Sequence, residues 1–231
     1  MARVLLPLPD TDFDVTEVAV PWKLLTEAGH EVVFATERGS APAADPLLLK
    51  GVLFGQLGAE PEPKRFYAEL LPTIRPVAWE AVDTTFDALL LPGGHAPGMR
   101  QYLGSPLLQD RVRDFWATGK PVAAICHGVL PLARAGVLQG VRTTCLPKYL
   151  ERSAYLATAW RRGRYYRTYP AYVEDEVRAS GAVVERGPRV LRRRGTRTDH
   201  SPAFTVRDGR YLSARWPGDA YLFAQQLLEM L

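Results

Sequence analysis

Cysteine is scarce in this chain, with only Cys126 and Cys145 among 231 residues. Two thiols in a chain this long are no disulfide framework, and they are too few and too far apart for a cysteine-built zinc site. Histidine is nearly as rare. His30, His95, His127 and His200 form no His-x-x-x-His pair, so spacing gives no sign of a metal, and no metal or other cofactor is expected. No stretch approaches the ~20 unbroken apolar residues of a membrane helix. The N-terminal Met1-Ala-Arg-Val-Leu-Leu-Pro-Leu-Pro has one charge and a short apolar run closed by Pro7 and Pro9. A secretory h-region is longer and ends at a small-residue cleavage site. The segment reads as a first strand, and a cytoplasmic location is expected.

Hydrophobic residues make up 47% of the chain and charged ones 23%, enough apolar surface for a sizeable core. With no repeat, low-complexity tract or linker, residues 1–231 are expected to form one domain. The formal charge of +4 is modest but uneven. From Arg152 to Arg197 every basic residue is arginine, and the arginines far outnumber the acids. Arg192-Arg193-Arg194, with Arg186, Arg189 and Arg197 nearby, suits phosphates or an acidic partner, or is simply a solvated hairpin. Trp160-Arg-Arg-Gly-Arg-Tyr-Tyr-Arg interleaves aromatics with arginines as single-strand binders do. Nucleic acid is nonetheless not the expected partner.

Strands alternate with helices along the chain. Val4-Leu-Leu is a short buried strand; a helix from Glu17 to about Ala28, capped by Thr16, stops at Gly29; Glu31-Val-Val-Phe-Ala is a second strand. Residues 37–82, punctuated by six prolines, read as an insertion covering one side of the sheet, with a helical piece at Phe66-Tyr-Ala-Glu-Leu-Leu. Asp87-Ala-Leu-Leu-Leu is a strand, Pro106 to Thr118 a helix, and Val122-Ala-Ala-Ile a strand. Beyond these come a short helix at Val129–Ala135, a strand at Val141-Arg-Thr-Thr, a helix at Ala171–Ser180, a strand at Ala182-Val-Val and an arginine-rich hairpin through Val206. A strand at Tyr211-Leu-Ser-Ala and a closing helix complete the order. The pattern predicts an α/β fold: a doubly wound, mainly parallel, flavodoxin-like sheet with helices on both faces.

Ala124-Ile125-Cys126-His127-Gly128 follows an apolar strand and opens a helix, with small residues two places either side of Cys126. That is the pattern of a nucleophile elbow. A thiol at a helix start is expected to lean toward thiolate, with His127 adding charge or acting as base. The plain alternative is a buried structural cysteine. Leu91-Pro92-Gly93-Gly94-His95 also ends a strand, and in an open parallel sheet such ends share one edge. Bare N–H groups at Gly93-Gly94, with that of His127, are candidates for an oxyanion hole, although Pro-Gly-Gly is also an ordinary turn. Glu17, early in the first helix, brings a carboxyl group to the same edge; it equally fits a helix-start acid.

Taken together these residues resemble the ThiJ/PfpI superfamily, cysteine-containing relatives of the class I glutamine amidotransferases. The likeness runs through Thr16-Glu17 with Val20-Pro21-Trp22, Ala28-Gly29-His30-Glu31-Val32, Phe34-Ala35-Thr36 and Ala44-Asp45-Pro46. It continues through Pro92-Gly93-Gly94-His95, Ile125-Cys126-His127-Gly128 and Pro217-Gly218-Asp219-Ala220. The Cys-His-Gly version and the long piece before Asp87 look most like the branch of heat-inducible chaperones and glutathione-independent glyoxalases. The resemblance implies that Cys126 is the nucleophile, His127 its partner, Glu17 the acid touching the thiol and Glu151 a third triad member. Some members of that branch also hold a two-histidine, one-carboxylate metal site, whose histidines have no match here. Members often dimerise, so a homodimer is expected.

The implied activities differ: glyoxalase or deglycase chemistry on 2-oxoaldehydes, amidase or peptidase hydrolysis, and holdase chaperoning. The leading expectation is a cysteine enzyme acting on small carbonyl compounds. Cysteine peptidase or amidase chemistry and binding without turnover stay as alternatives.

Overall fold

The computed structural model describes residues 1–190 and 192–231. The chain opens with β1 (Arg3–Pro7), β2 (Thr11–Phe13), α1 (Val15–Glu27) and β3 (Glu31–Thr36). Gly29, at φ +83°, makes the left-handed turn between α1 and β3. The proline-rich stretch then builds β4 (Ala43–Ala44), α2 (Pro46–Lys50), α3 (Pro61–Leu70) and β5 (Val77–Ala78). It is not only a cover: Val77 pairs with Ala35, so β5 becomes an edge strand of the main sheet. Next come β6 (Ala88–Leu91), α4 (Met99–Gly104), α5 (Pro106–Ala117), β7 (Val122–Ile125) and α6 (Leu130–Arg134). The last part holds β8 (Arg142–Thr143), α7 (Lys148–Arg162), α8 (Val173–Ala179), β9 (Val183–Val184), β10 (Thr205–Asp208), β11 (Tyr211–Ala214) and α9 (Ala220–Leu228).

Seven strands make one sheet in the order β10-β11-β7-β6-β1-β3-β5, parallel throughout except for β10, which runs antiparallel to β11. Strands β6, β7 and β11 are buried along their whole length, β6 and β7 wholly apolar, as strands covered on both faces are. On one face α1 packs against α3 and α9; on the other α5 meets α6 and α6 meets α8. The chain leaves β1 for β3 on one side and crosses to β6 on the other, which places a switch point beside β1. Ligands bind open α/β sheets at the carboxyl ends of strands near such a point.

Three expectations are corrected. The α1 cap is Asp14, whose Oδ1 accepts from the N–H groups of Thr16 and Glu17 at 2.8 and 3.1 Å, so the helix starts ahead of Thr16. The arginine-rich segment is not a hairpin; the hairpin is β10–β11, and the described residues between β9 and β10 form no strand. Helix α7 was not anticipated at all, and β8 pairs only with β9, apart from the main sheet. Among the described residues no helix is long and apolar enough to cross a membrane.

Candidate active site

Strand β7 is fully enclosed, and the chain leaves it by a turn in which Cys126 takes φ +60°. An L-residue in the left-handed region costs roughly 1–2 kcal/mol, strain of the kind held at functional turns. Gly128 is what makes the turn sterically possible. A Cβ there would lie 2.0 Å from the carbonyl oxygen of Leu91, at the end of the neighbouring strand β6. Only hydrogen fits.

Cys126 has no exposed surface. Burial pushes its thiol well above the usual cysteine range, and the carboxylates of Glu17 and Asp14 push it further. The N–H of His127 pulls the other way and favours the thiolate. The expectation of a thiolate-leaning cysteine therefore fails for the resting site. Burial is the main reason, and the four-residue 3₁₀ turn and five-residue helix that follow are too short for a dipole that would offset it.

Glu17 reaches the sulfur from the first turn of α1 and is also fully buried. Its Oε2 accepts from the N–H of Gly93 at 2.7 Å, and its Oε1 has no hydrogen-bond partner. Burial, then the charge of Asp14, holds this carboxyl well above the ordinary glutamate range. Gly93 is thus committed to orienting the acid instead of standing open to an oxyanion. The Gly94 N–H, by contrast, donates to no group among the described residues.

His127 places Nδ1 3.4 Å from the sulfur. Burial and the neighbouring His95 and Arg134 lower its pKa well below the usual value, so the ring is neutral and able to accept the thiol proton. His95, not marked as a site residue by sequence, stands against it with ring centroids 4.9 Å apart. Burial lowers His95 to a pKa of about 4, and its Nδ1 has no partner. Tyr166 packs edge-on against His95 at 4.7 Å, and Thr168 Oγ1 donates to the His95 carbonyl at 2.5 Å. The donor atoms of His95, Cys126 and His127 all lie within 4.8 Å of one another, a two-nitrogen, one-sulfur set suited to a soft divalent ion. Sequence spacing concealed this trio, because its members come from two different strand ends.

Glu151 is buried in the first turn of α7, but its oxygens face elsewhere. Oε2 accepts from the N–H of Val173 at 3.1 Å, and Oε1 lies 3.8 Å from the Arg167 guanidinium. No hydrogen bond joins it to His127, so the triad that the resemblance implied is not assembled by direct contact. Burial raises its pKa from 4.5 to about 7. The folded protein therefore holds an extra proton between those values, and stability falls as pH rises through that window. Glu151→Gln keeps an oxygen for Val173 and removes the ionisation. It should be more stable than the parent at about pH 8, by on the order of 2–3 kcal/mol, with the gain gone near pH 4; paired thermal melts check this.

Beside His95 lies a cavity of about 900 Å³. Asp14, His95, Glu151 and Tyr166 line it, but Cys126 and Glu17 do not. His95 is the member of the trio that lines the cavity.

The fold and the site together define an open, doubly wound α/β protein with a cysteine on a strained turn and a buried acid beside it. The chain belongs to the ThiJ/PfpI family: the family model described as "ThiJ/PfpI family-like" matches residues 8–186. A deglycase of Pyrococcus abyssi is 29% identical over 229 residues, covering 99% of both chains. The protein/nucleic acid deglycase 2 of Escherichia coli is 33% identical over 147 residues, 63% of this chain and 72% of its own. The crystal structure of glyoxalase III from Candida albicans shares the fold, with a TM-score of 0.71 at 19% identity, covering 100% of this chain and 97% of its own.

Proposed function

We propose that the protein is a cysteine enzyme acting on small carbonyl compounds, with glyoxalase or deglycase chemistry. The observation that carries the reading is the buried pair of Cys126 and Glu17, one carboxyl oxygen pinned by Gly93 and the other with no hydrogen-bond partner, free to take and give a proton. His127 takes the thiol proton, sulfur adds to the aldehyde carbon of a 2-oxoaldehyde, and the same proton passes from His127 to the former aldehyde oxygen to give a hemithioacetal. The carbon-bound hydrogen leaves that carbon as a proton and is returned to the neighbouring carbonyl carbon, carried by Glu17. The resulting thioester is hydrolysed by one water, releasing a 2-hydroxy acid and the thiol. The names of the deglycase relatives support the substrate class.

Amide hydrolysis fits less well. It requires an imidazolium to protonate the leaving amine, held by a third group. Glu151, the third group that the resemblance implied, bonds Val173 and not His127.

The test is turnover across methylglyoxal, its hemithioacetal with N-acetylcysteine, glutamine and a fluorogenic peptide. Lactate from the first two, abolished by alkylating Cys126, is the expected result. Ammonia or peptide cleavage that depends on Cys126, without lactate, would overturn the reading.

A further inference from the structure

The cavity beside His95 has one feature that the carbonyl chemistry does not use. Arg189, Arg192, Arg193 and Arg194 line its wall, against only two acids, Asp14 and Glu151. These are the arginines that sequence alone left open between a phosphate site and a solvated hairpin. Their segment is fastened in place. Arg215, fully buried just after β11, is held by Asp219 through two bonds of 2.8 Å. The same guanidinium donates to the carbonyls of Pro188 at 2.7 Å and Pro202 at 3.1 Å, clasping both ends of the segment. A bond of 2.7 Å from the Gly195 N–H to the Gly218 carbonyl fixes its middle. The segment is held at three points, so its arginines line the cavity from a fixed backbone, with Arg189, Arg192 and Arg193 at its exposed rim.

The four are not equally engaged. Arg194 stacks on Trp216, reaches the Gly58 carbonyl and lies 3.7 Å from Glu60. Arg193 is 3.5 Å from Asp199. Arg189 and Arg192 have no carboxylate partner among the described residues, and Arg189 lies over the ring of Tyr149. Planar guanidinium groups suit the paired oxygens of a phosphate or carboxylate. The opposing acids contribute less charge than their number suggests: burial raises Asp14 to about 6 and Glu151 to about 7. Much of the remaining wall is apolar, including Leu48, Leu146 and Leu150.

We propose that this cavity selects carbonyl compounds bearing an anionic group, a phosphate monoester above all, which Arg189 and Arg192 hold while the carbonyl end points toward His95 and the thiol beneath. This names the substrate class for the function proposed above and rests on it for turnover, though not for binding. Two experiments separate them. The first compares methylglyoxal with its phosphorylated counterpart, 3-phosphooxy-2-oxopropanal, at low salt. The phosphorylated compound should have the higher kcat/KM by at least about tenfold, and Arg189→Gln/Arg192→Gln should bring the ratio close to one, mainly through KM. Equal kcat/KM values in the parent protein would overturn the proposal and leave the carbonyl chemistry standing. The second uses calorimetry with phenyl phosphate and, as a neutral ring of similar size, benzyl alcohol. Saturable binding of phenyl phosphate alone, weakened by salt and at least about tenfold by the double substitution, supports the anion site even if neither aldehyde is turned over. Absence of phenyl phosphate binding at millimolar concentration, or binding unaffected by the substitutions, overturns it.

Discussion

Cys126→Ala should lower 2-oxoaldehyde turnover by at least about 10⁴-fold while leaving the fold intact. The sulfur forms the covalent bond in the proposed chemistry, and no other thiol can replace it. Cys145 is also buried, its thiol raised by burial and the nearby Glu174, and it has no histidine beside it in the manner of His127. Alanine keeps a Cβ at φ +60°, so the strain of the turn stays and little is gained or lost there. The melting transition should therefore shift by no more than about 1 kcal/mol in stability. Steady-state kinetics with a matched thermal melt read both quantities. Residual turnover within about a hundredfold of the parent would remove the cysteine from the chemistry.

Glu17→Gln should cost about 10²–10⁴-fold in turnover, the range of a lost general acid–base group. Glutamine still offers an oxygen to the Gly93 N–H and an N–H to the sulfur, so shape and stability should hold. It cannot take a proton from one carbon and return it to the next. A second readout has the opposite sign. The Glu17 carboxylate is one of the causes holding the thiol pKa up, so its removal should make Cys126 easier to ionise and faster to alkylate. A variant slower in turnover yet quicker in alkylation separates a proton carrier from a merely structural acid. Equal losses of turnover and folding stability would point to the structural role. Glu151→Gln should cost clearly less turnover than Glu17→Gln, because Glu151 serves Val173 and Arg167.

The elbow, the strands feeding it and the acid in the first helix could be read from sequence because each follows a local rule. Small residues flank Cys126, apolar runs of four mark strands covered on both faces, and an acid early in a helix sits where its dipole favours it. Helix α7 follows no such rule. Leu156 and Trp160 are among its most exposed side chains, at 64% and 69%, whereas Glu151 and Thr158 are buried. Apolar periodicity points the wrong way there, and no polar N-cap marks the start after Pro147. The same inversion removes two of the three aromatics from the aromatic–arginine pattern at Trp160–Arg167, leaving Trp160 exposed. Tyr165 and Tyr166 are buried, Tyr165 bonding Asp45 at 2.5 Å, so neither presents a stacking face to a strand of nucleic acid. His95 and the arginine wall were hidden for another reason: both gain meaning only when strand ends and a distant loop meet in space.

The missing side chain at position 128 has a consequence for how this sequence can drift. The height of the sulfur above the sheet is set where one main chain rests on another, the Cα of Gly128 against the carbonyl of Leu91. It is not set by the fit of side chains in the core. Exchanging one core aliphatic residue for another moves neighbours by fractions of an ångström, and a contact between two backbones passes little of that on. The protein can therefore replace much of its interior over time and still deliver the thiol to the same point, provided that a single hydrogen atom is never exchanged for a methyl group.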